Sequence, residues 1–251
     1  MLTSKIQAYR DFLKDNVRQQ VDFSQTDQSL GVPPPPLEKP YDPEATRFEL
    51  VAPENWTTIP AVDLFSAIQR RKSHRRFRHA SLTLEELSFL LWTTQGIRAS
   101  RNRGFAFRTV PSAGCRHALE TYLCVLNVEE LEQGIYRYLP VEHRLVLEFQ
   151  EEQLAEKITA ATLGQRFTGE AAATFVWTTI PYRMEWRYDI AAHKVIALDA
   201  GHVCQNLYLA CEAIGAGTCA IAAYDQQKID QLLRVDGEDE FAIYLAAVGK
   251  V

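Results

Sequence analysis

The chain has 251 residues, of which 47% are hydrophobic and 24% charged, with a formal net charge of −5 at pH 7. That length supports one sizeable core, or one core with an extension. The acidic balance argues against a nucleic-acid-binding surface, and no apolar run approaches the roughly 20 residues of a membrane span. The five cysteines (Cys115, Cys124, Cys204, Cys211, Cys219) are odd in number and show no C-x-x-C spacing. This argues against a disulfide framework and a zinc site, so no metal is expected. Met1–Gln7 lacks a signal-peptide pattern, and a reduced, cytoplasmic setting is the expectation.

Residues 4–22 read as an amphipathic helix with Ile6, Tyr9, Phe12, Leu13 and Val17 on one side. Pro33–Pro36 must then be extended, so residues 31–60 read as an arm. Its apolar residues (Phe48, Leu50, Val51, Trp56) predict packing on the body or on a partner subunit. The chain thus divides into a helix and arm at 1–59 and a main domain at 60–251.

The main domain opens with a helix over about 61–71 and a second from Thr83, where Thr83 and Glu86 form a capping box, to near Gly96. Residues 108–114 read as a loop, 119–128 as a strand, and 134–138 with 144–147 as a hairpin. A helix near 151–163 and an apolar strand over 173–180 follow. A long helix spans 194–214, a short one runs from Asp225 to Leu233, and 241–248 is the last strand. The order is α+β, with several helices around a small sheet.

The densest positive charge is Arg70-Arg71-Lys72-Ser73-His74-Arg75-Arg76. Guanidinium groups form paired hydrogen bonds with phosphate oxygens, and a serine hydroxyl adds another. A solvated helix end, where cations complement the helix dipole, accounts for the same residues without a ligand.

Four segments together resemble the FMN-dependent nitroreductase superfamily, most closely its SagB/ThcOx-type azoline-dehydrogenase branch. They are Arg71–Phe77, Leu82–Gly96, Arg108–Gly114 and Leu198–Ala210. The resemblance covers roughly residues 60–251 and implies a nitroreductase-like fold: a central mixed or antiparallel sheet surrounded by helices. It implies that Arg71, Lys72, Ser73 and Arg75 grip the FMN phosphate and ribityl chain, and that Pro111, Ser112, Ala113 and Gly114 lie beside the flavin ring. Gly215, Ala216 and Gly217 match a stretch that covers the flavin face, although Gly-x-Gly after a helix is also a C-cap. Lys250 reads as a solvated terminal lysine, the alternative being an added cation at the phosphate. The family's members are homodimers with FMN between subunits, so a homodimer is expected.

Several residues depart from the branch's pattern. His117 replaces a tyrosine, which sets a titratable imidazole near the flavin, able to move protons near pH 7, or else a satisfied polar residue at a strand start. Cys115 would be reactive if Arg116 lowered its pKa, and inert if packed. Trp186-Arg187-Tyr188 matches a Trp-Lys-Tyr segment with a lysine and tyrosine proposed as catalytic. Arginine is a poor base, so Arg187 becomes a candidate anion clamp and Tyr188 a candidate proton donor or acceptor. His202 reads as a buried helix-packing residue.

The resemblance thus implies an FMN-dependent oxidoreductase using flavin N5 hydride transfer. Its substrate would be a small acceptor reduced by NAD(P)H, or a heterocycle in a peptide or metabolite. The alternative is a flavin-binding partner or scaffold without turnover. No nucleic-acid or membrane partner is expected.

Overall fold

The structure, a computed structural model, describes residues 4–102 and 105–251. Seven strands form one sheet: β1 (Arg47–Glu49), β4 (Leu119–Val125), β5 (Gly134–Leu139), β6 (Arg144–Phe149), β7 (Ala173–Thr179), β8 (Ala216–Ile221) and β9 (Phe241–Lys250). Their order is β1-β6-β5-β4-β7-β9-β8, with each pair antiparallel. A separate antiparallel hairpin joins β2 (Ile97–Asn102) to β3 (Phe105–Arg108).

Both faces of the sheet are covered, which explains why β4 and β7 are buried at every position. Leu123, Val125, Phe175 and Trp177 point to one face, where they meet α3 (Leu84–Gln95), α5 (Tyr182–Tyr188) and α6 (Ala192–Ala213). Tyr122, Cys124 and Val176 point to the other, against α4 (Leu154–Ala161) and α7 (Gln226–Leu233). This alternation is the period-2 geometry of a strand.

Local chemistry fixes the helix starts. Thr83 and Glu86 exchange reciprocal hydrogen bonds at the start of α3, the predicted capping box. Asp63 caps α2 (Leu64–Arg70) through the amides of Phe65 and Ser66, and Asp225 caps α7 through the amide of Lys228. The 22 residues of α6 make a rod about 33 Å long.

The N-terminal helix is shorter than its pattern predicts. α1 (Ser4–Leu13) stops at Leu13, and residues 16–20 and 23–25 form short 3-10 turns. The apolar face of α1 has no core beneath it, since Tyr9 is 69% and Leu13 67% exposed. The sheet is also larger than the predicted one, gaining β1 and β8. Gly-x-Gly at 215–217 also reads as a helix C-cap, yet Ala216 and Gly217 open strand β8.

The arm is fastened to its own body. Arg108 donates to Leu37 O (2.8 Å) and Arg137 to Lys39 O (2.8 Å) and Pro40 O (3.1 Å). The Lys39 amide donates to Glu120 (2.7 Å), Trp186 donates to Val32 O (3.0 Å), and β1 pairs with β6. Glu120, Arg108, Arg137 and Arg183 are all buried, and Glu120 pairs with Arg183 at 2.6 Å and Arg137 at 3.7 Å.

Candidate active site

The cationic segment leaves α2 at Arg71 and runs along the free edge of β8. Ser73 makes a parallel bridge with Thr218, and the His74 amide donates to Thr218 O at 2.9 Å. Further on, the Arg78 amide donates to Lys250 O at 2.9 Å. Two glycines make this contact possible. A Cβ at Gly217 would stand 2.6 Å from the His74 ring, and one at Gly249 would stand 2.8 Å from the Phe77 ring. Gly217 thus serves the packing of the cationic segment; Gly215 turns the chain into β8 at φ +60°.

Arg70 pairs with Glu212 at 3.5 Å. Among the described residues, no ion pair involves Arg71, Lys72 or Arg75. Lys72, Ser73 and Arg75 are exposed and Arg71 is half-buried. Unneutralised cations beside a hydroxyl suit a phosphate dianion. The Ser73 hydroxyl shares a hydrogen bond with Tyr208 on α6 (2.9 Å), and the Arg71 guanidinium lies 5.2 Å from the Tyr208 ring centroid.

The second element is the 111–117 loop. Gly114 adopts φ +58°, and a Cβ there would meet Tyr188 Oη at 2.7 Å and Arg187 Cδ and Nε at 2.8 Å. The structure therefore brings Pro111–Gly114 together with Arg187 and Tyr188, distant in sequence. Cys115 (φ +54°) and His117 (φ +48°) also lie in the left-handed region, and Asp189, just after Tyr188, has φ +48° and ψ −140°. Such backbone gathers where surrounding structure over-determines it.

His117 is buried. Its amide donates to Ser112 Oγ at 2.9 Å, and its ring bonds the backbone of Ala106. Burial, with the Arg108 charge, pushes its pKa down to about 3, so the imidazole is neutral throughout the physiological range. Of the two readings open for His117, a titrating imidazole and a satisfied polar residue at a strand start, this environment agrees with the second.

Asp199 on α6 was not singled out by sequence. Its buried carboxylate takes hydrogen bonds from the Ser112 hydroxyl and the Ala113 amide, while Oδ2 has no partner. Burial raises its pKa. One helix therefore holds both motifs: Asp199 braces the loop, and Tyr208, nine residues on and about 13 Å along the axis, braces the cationic segment. Two other readings are corrected. His202 is exposed rather than buried. Lys250 is tied to Glu86 and donates to Ile214 O at 2.8 Å, closing the end of β9 onto α3 and α6 rather than ending in solvent.

Two clefts adjoin one another, the smaller one lined by the loop. An apolar one of about 560 Å³ lies between α2, α3 and α6, lined by Val62, Leu64, Phe89, Trp92 and Leu209. A smaller one of about 390 Å³ is lined by Arg98, Phe107, Arg108, Ser112, Cys115 and His117. Arg98 and Thr109 line both. No group of three or more potential metal ligands occurs among the described residues, and no described helix is long and apolar enough to cross a membrane.

Comparison with known proteins agrees with this architecture. MJ1384 of Methanocaldococcus jannaschii, provisionally named a nitroreductase, is 30% identical over 192 residues, covering 76% of this chain and 93% of its own. The trifolitoxin-processing protein TfxB of Rhizobium leguminosarum bv. trifolii is 26% identical over 133 residues, 51% of this chain and 36% of that longer protein. A Ralstonia eutropha structure, provisionally named a nitroreductase, superposes with a TM-score of 0.68 at 26% identity, covering 85% of this chain and 96% of that one. A chain of the Escherichia coli microcin synthetase McbBCD complex shares the fold at 19% identity, with a TM-score of 0.60 and coverage of 80% and 77%. The nitroreductase family model matches residues 68–250, from the last turn of α2 through the end of β9. The match spans both the cationic segment and the loop that α6 holds together, and the chain belongs to the nitroreductase family.

Proposed function

We propose that the protein is an FMN-dependent oxidoreductase, with the FMN phosphate held by Arg71, Lys72, Ser73 and Arg75. The observation that carries this reading is the unneutralised cationic segment fixed to the β8 edge beside an apolar cleft. The fixed cations offset a dianion, and the apolar walls favour a flat aromatic ring. Pro111, Ser112, Ala113 and Gly114 would flank that ring, with Gly215–Gly217 near the phosphate end. When bound, FMN supplies a two-electron hydride carrier at N5.

The chain's own residues would then govern the substrate. Arg187 keeps a fixed positive charge and suits an anionic group on the substrate. The Tyr188 hydroxyl, close to Gly114, would hold or pass one proton. Neutral His117 shapes the loop and donates or accepts a hydrogen bond without changing charge. The favoured reaction is NAD(P)H-dependent reduction of a small acceptor. A second reading is dehydrogenation of a heterocycle in a peptide; the similarity to a trifolitoxin-processing protein supports a processing role. Arg187 in place of a basic lysine weighs against that chemistry proceeding by the branch's mechanism.

The protein would act as a homodimer. Leu64, Phe65 and Ile68 on α2 are 57–71% exposed, and Leu198 on α6 is 55% exposed, an apolar face suited to a second copy. The test is anaerobic addition of NADH or NADPH to the FMN-loaded protein, followed by quinone or nitroaromatic acceptors. Bleaching and acceptor-dependent recovery support the reductase. Flavin bands unaffected by either nucleotide would refute it.

A further inference from the structure

We propose that Tyr208 is a positioning residue that makes the Ser73 hydroxyl a phosphate donor and holds the Arg71 guanidinium, so that the site selects a phosphorylated ligand. The inference rests on the FMN reading above and extends it to a residue outside the cationic segment.

β8 is an edge strand, and its Ala220 amide is not spent on the sheet. It donates instead to Tyr208 Oη at 2.9 Å. The hydroxyl has one proton and two acceptor positions. Ala220 fills one acceptor position, and in the Tyr208–Ser73 pair, 2.9 Å apart, either hydroxyl can donate; with Tyr208 as the donor, the Ser73 proton stays available to a ligand. The other hydrogen-bonding group facing Ser73 is the Cys219 thiol, a weak acceptor. A phosphate oxygen is a far stronger one, and Ser73 is exposed, so the hydroxyl can turn to it.

Tyr208 acts on Arg71 as well. The guanidinium stands 5.2 Å from the ring centroid, within cation–π range. Contact with an aromatic face restrains the charge while its N–H edges stay available for a bidentate contact. Arg71 caps the end of α2, its amide donating to Ala67 O at 3.0 Å as the backbone turns extended (φ −48°, ψ 121°), and the Tyr208 ring holds its guanidinium.

The test compares FMN with riboflavin, which lacks only the phosphate. Flavin-free wild type, Tyr208→Phe, Ser73→Ala and the double variant are titrated with each ligand and read by flavin fluorescence. Phe keeps the ring under Arg71 and removes only the hydroxyl. Tyr208→Phe should weaken FMN about tenfold and change riboflavin by less than about twofold. Ser73→Ala should show the same pattern, and the double variant should bind FMN no more weakly than Ser73→Ala, because the two residues act as one unit. Equal weakening of both ligands by Tyr208→Phe, or additive losses in the double variant, would make Tyr208 a packing residue and overturn the inference. Wild-type protein that binds neither flavin refutes the FMN reading itself; wild type that favours FMN while the variants behave additively refutes only the role of Tyr208.

Discussion

Glu120 is the residue whose loss should cost the fold most. It is 3% exposed and accepts the Lys39 amide from the arm. It pairs with Arg183 at 2.6 Å and Arg137 at 3.7 Å. Burial opposes its ionisation more than any single neighbour favours it, yet Arg183, Arg137 and Arg108 together hold its pKa below the usual carboxylate range. Glu120→Gln keeps the shape and an acceptor for Lys39 but removes the charge. Arg137 would keep Glu148 at 2.6 Å. Arg183 would be left buried with no carboxylate, and Arg108, whose pKa burial already lowers to about 10, would lose the charge that most favours its ionised form. Breaking one side of a buried pair costs about 3–5 kcal/mol. For a chain of this size, that lowers Tm by roughly 6–20 °C. The assay is urea and thermal unfolding of flavin-free protein, followed by circular dichroism.

The pH dependence has a definite sign. A carboxylate with a lowered folded pKa contributes stability that is present above its ordinary pKa and lost as pH falls through the lowered one. Wild type should therefore lose stability over that acid range, and Glu120→Gln should lose less there. A cost under about 1 kcal/mol at neutral pH, with an unchanged acid limb, would refute the reasoning.

The other expectations are local. Gly114→Ala forces a side chain into the left-handed region and against Tyr188 and Arg187. It should cost about 1–2 kcal/mol in urea unfolding and lower turnover; unchanged values would show that the loop has room to relax. The His117 ring should show constant proton chemical shifts from about pH 5 to 8, because its pKa is about 3, and a midpoint in that window would contradict the buried, neutral assignment. Thr83→Ala removes one half of the capping box and should destabilise by about 1 kcal/mol, read as a shift in urea midpoint without a change in slope.

The elements legible in the sequence were those whose signals are local. Thr83 and Glu86 announced α3, Asp225 announced α7, and the apolar run 173–180 announced a strand buried on both faces, found at Ala173–Thr179. What was missed depends on partners far along the chain. β1 is three residues that become a strand only because β6 accepts them, and β8 begins in a glycine-rich stretch that resembles a turn. Its Gly217 makes sense once the His74 ring is seen against it. α1 ran shorter than its apolar pattern because nothing in the body covers that face.

The candidate site divides in the same way. Arg71–Arg75, Pro111–Gly114 and Arg187–Tyr188 were each visible as segments. What joins them was not. Asp199 and Tyr208 sit in an apolar helix, and only the folded chain brings the Ser112 hydroxyl to one and the Ser73 hydroxyl to the other. A usable signal did exist. Glu120, Arg137 and Arg183 are charges set within or next to apolar strands and a helix, and such charges are seldom buried unless paired. The pairing follows from the register, in which Tyr122 opposes Arg137 on β5, two residues from Glu120 on β4.

The FMN reading requires the unneutralised cations along β8 to hold a flavin phosphate. Equilibrium titration of flavin-free protein with FMN, followed by visible absorbance, tests it most directly. One FMN per chain, weakened at least about tenfold when Arg71 and Arg75 are both replaced by alanine, is the predicted result. No saturable FMN binding, or binding that the double replacement leaves unchanged, would contradict it.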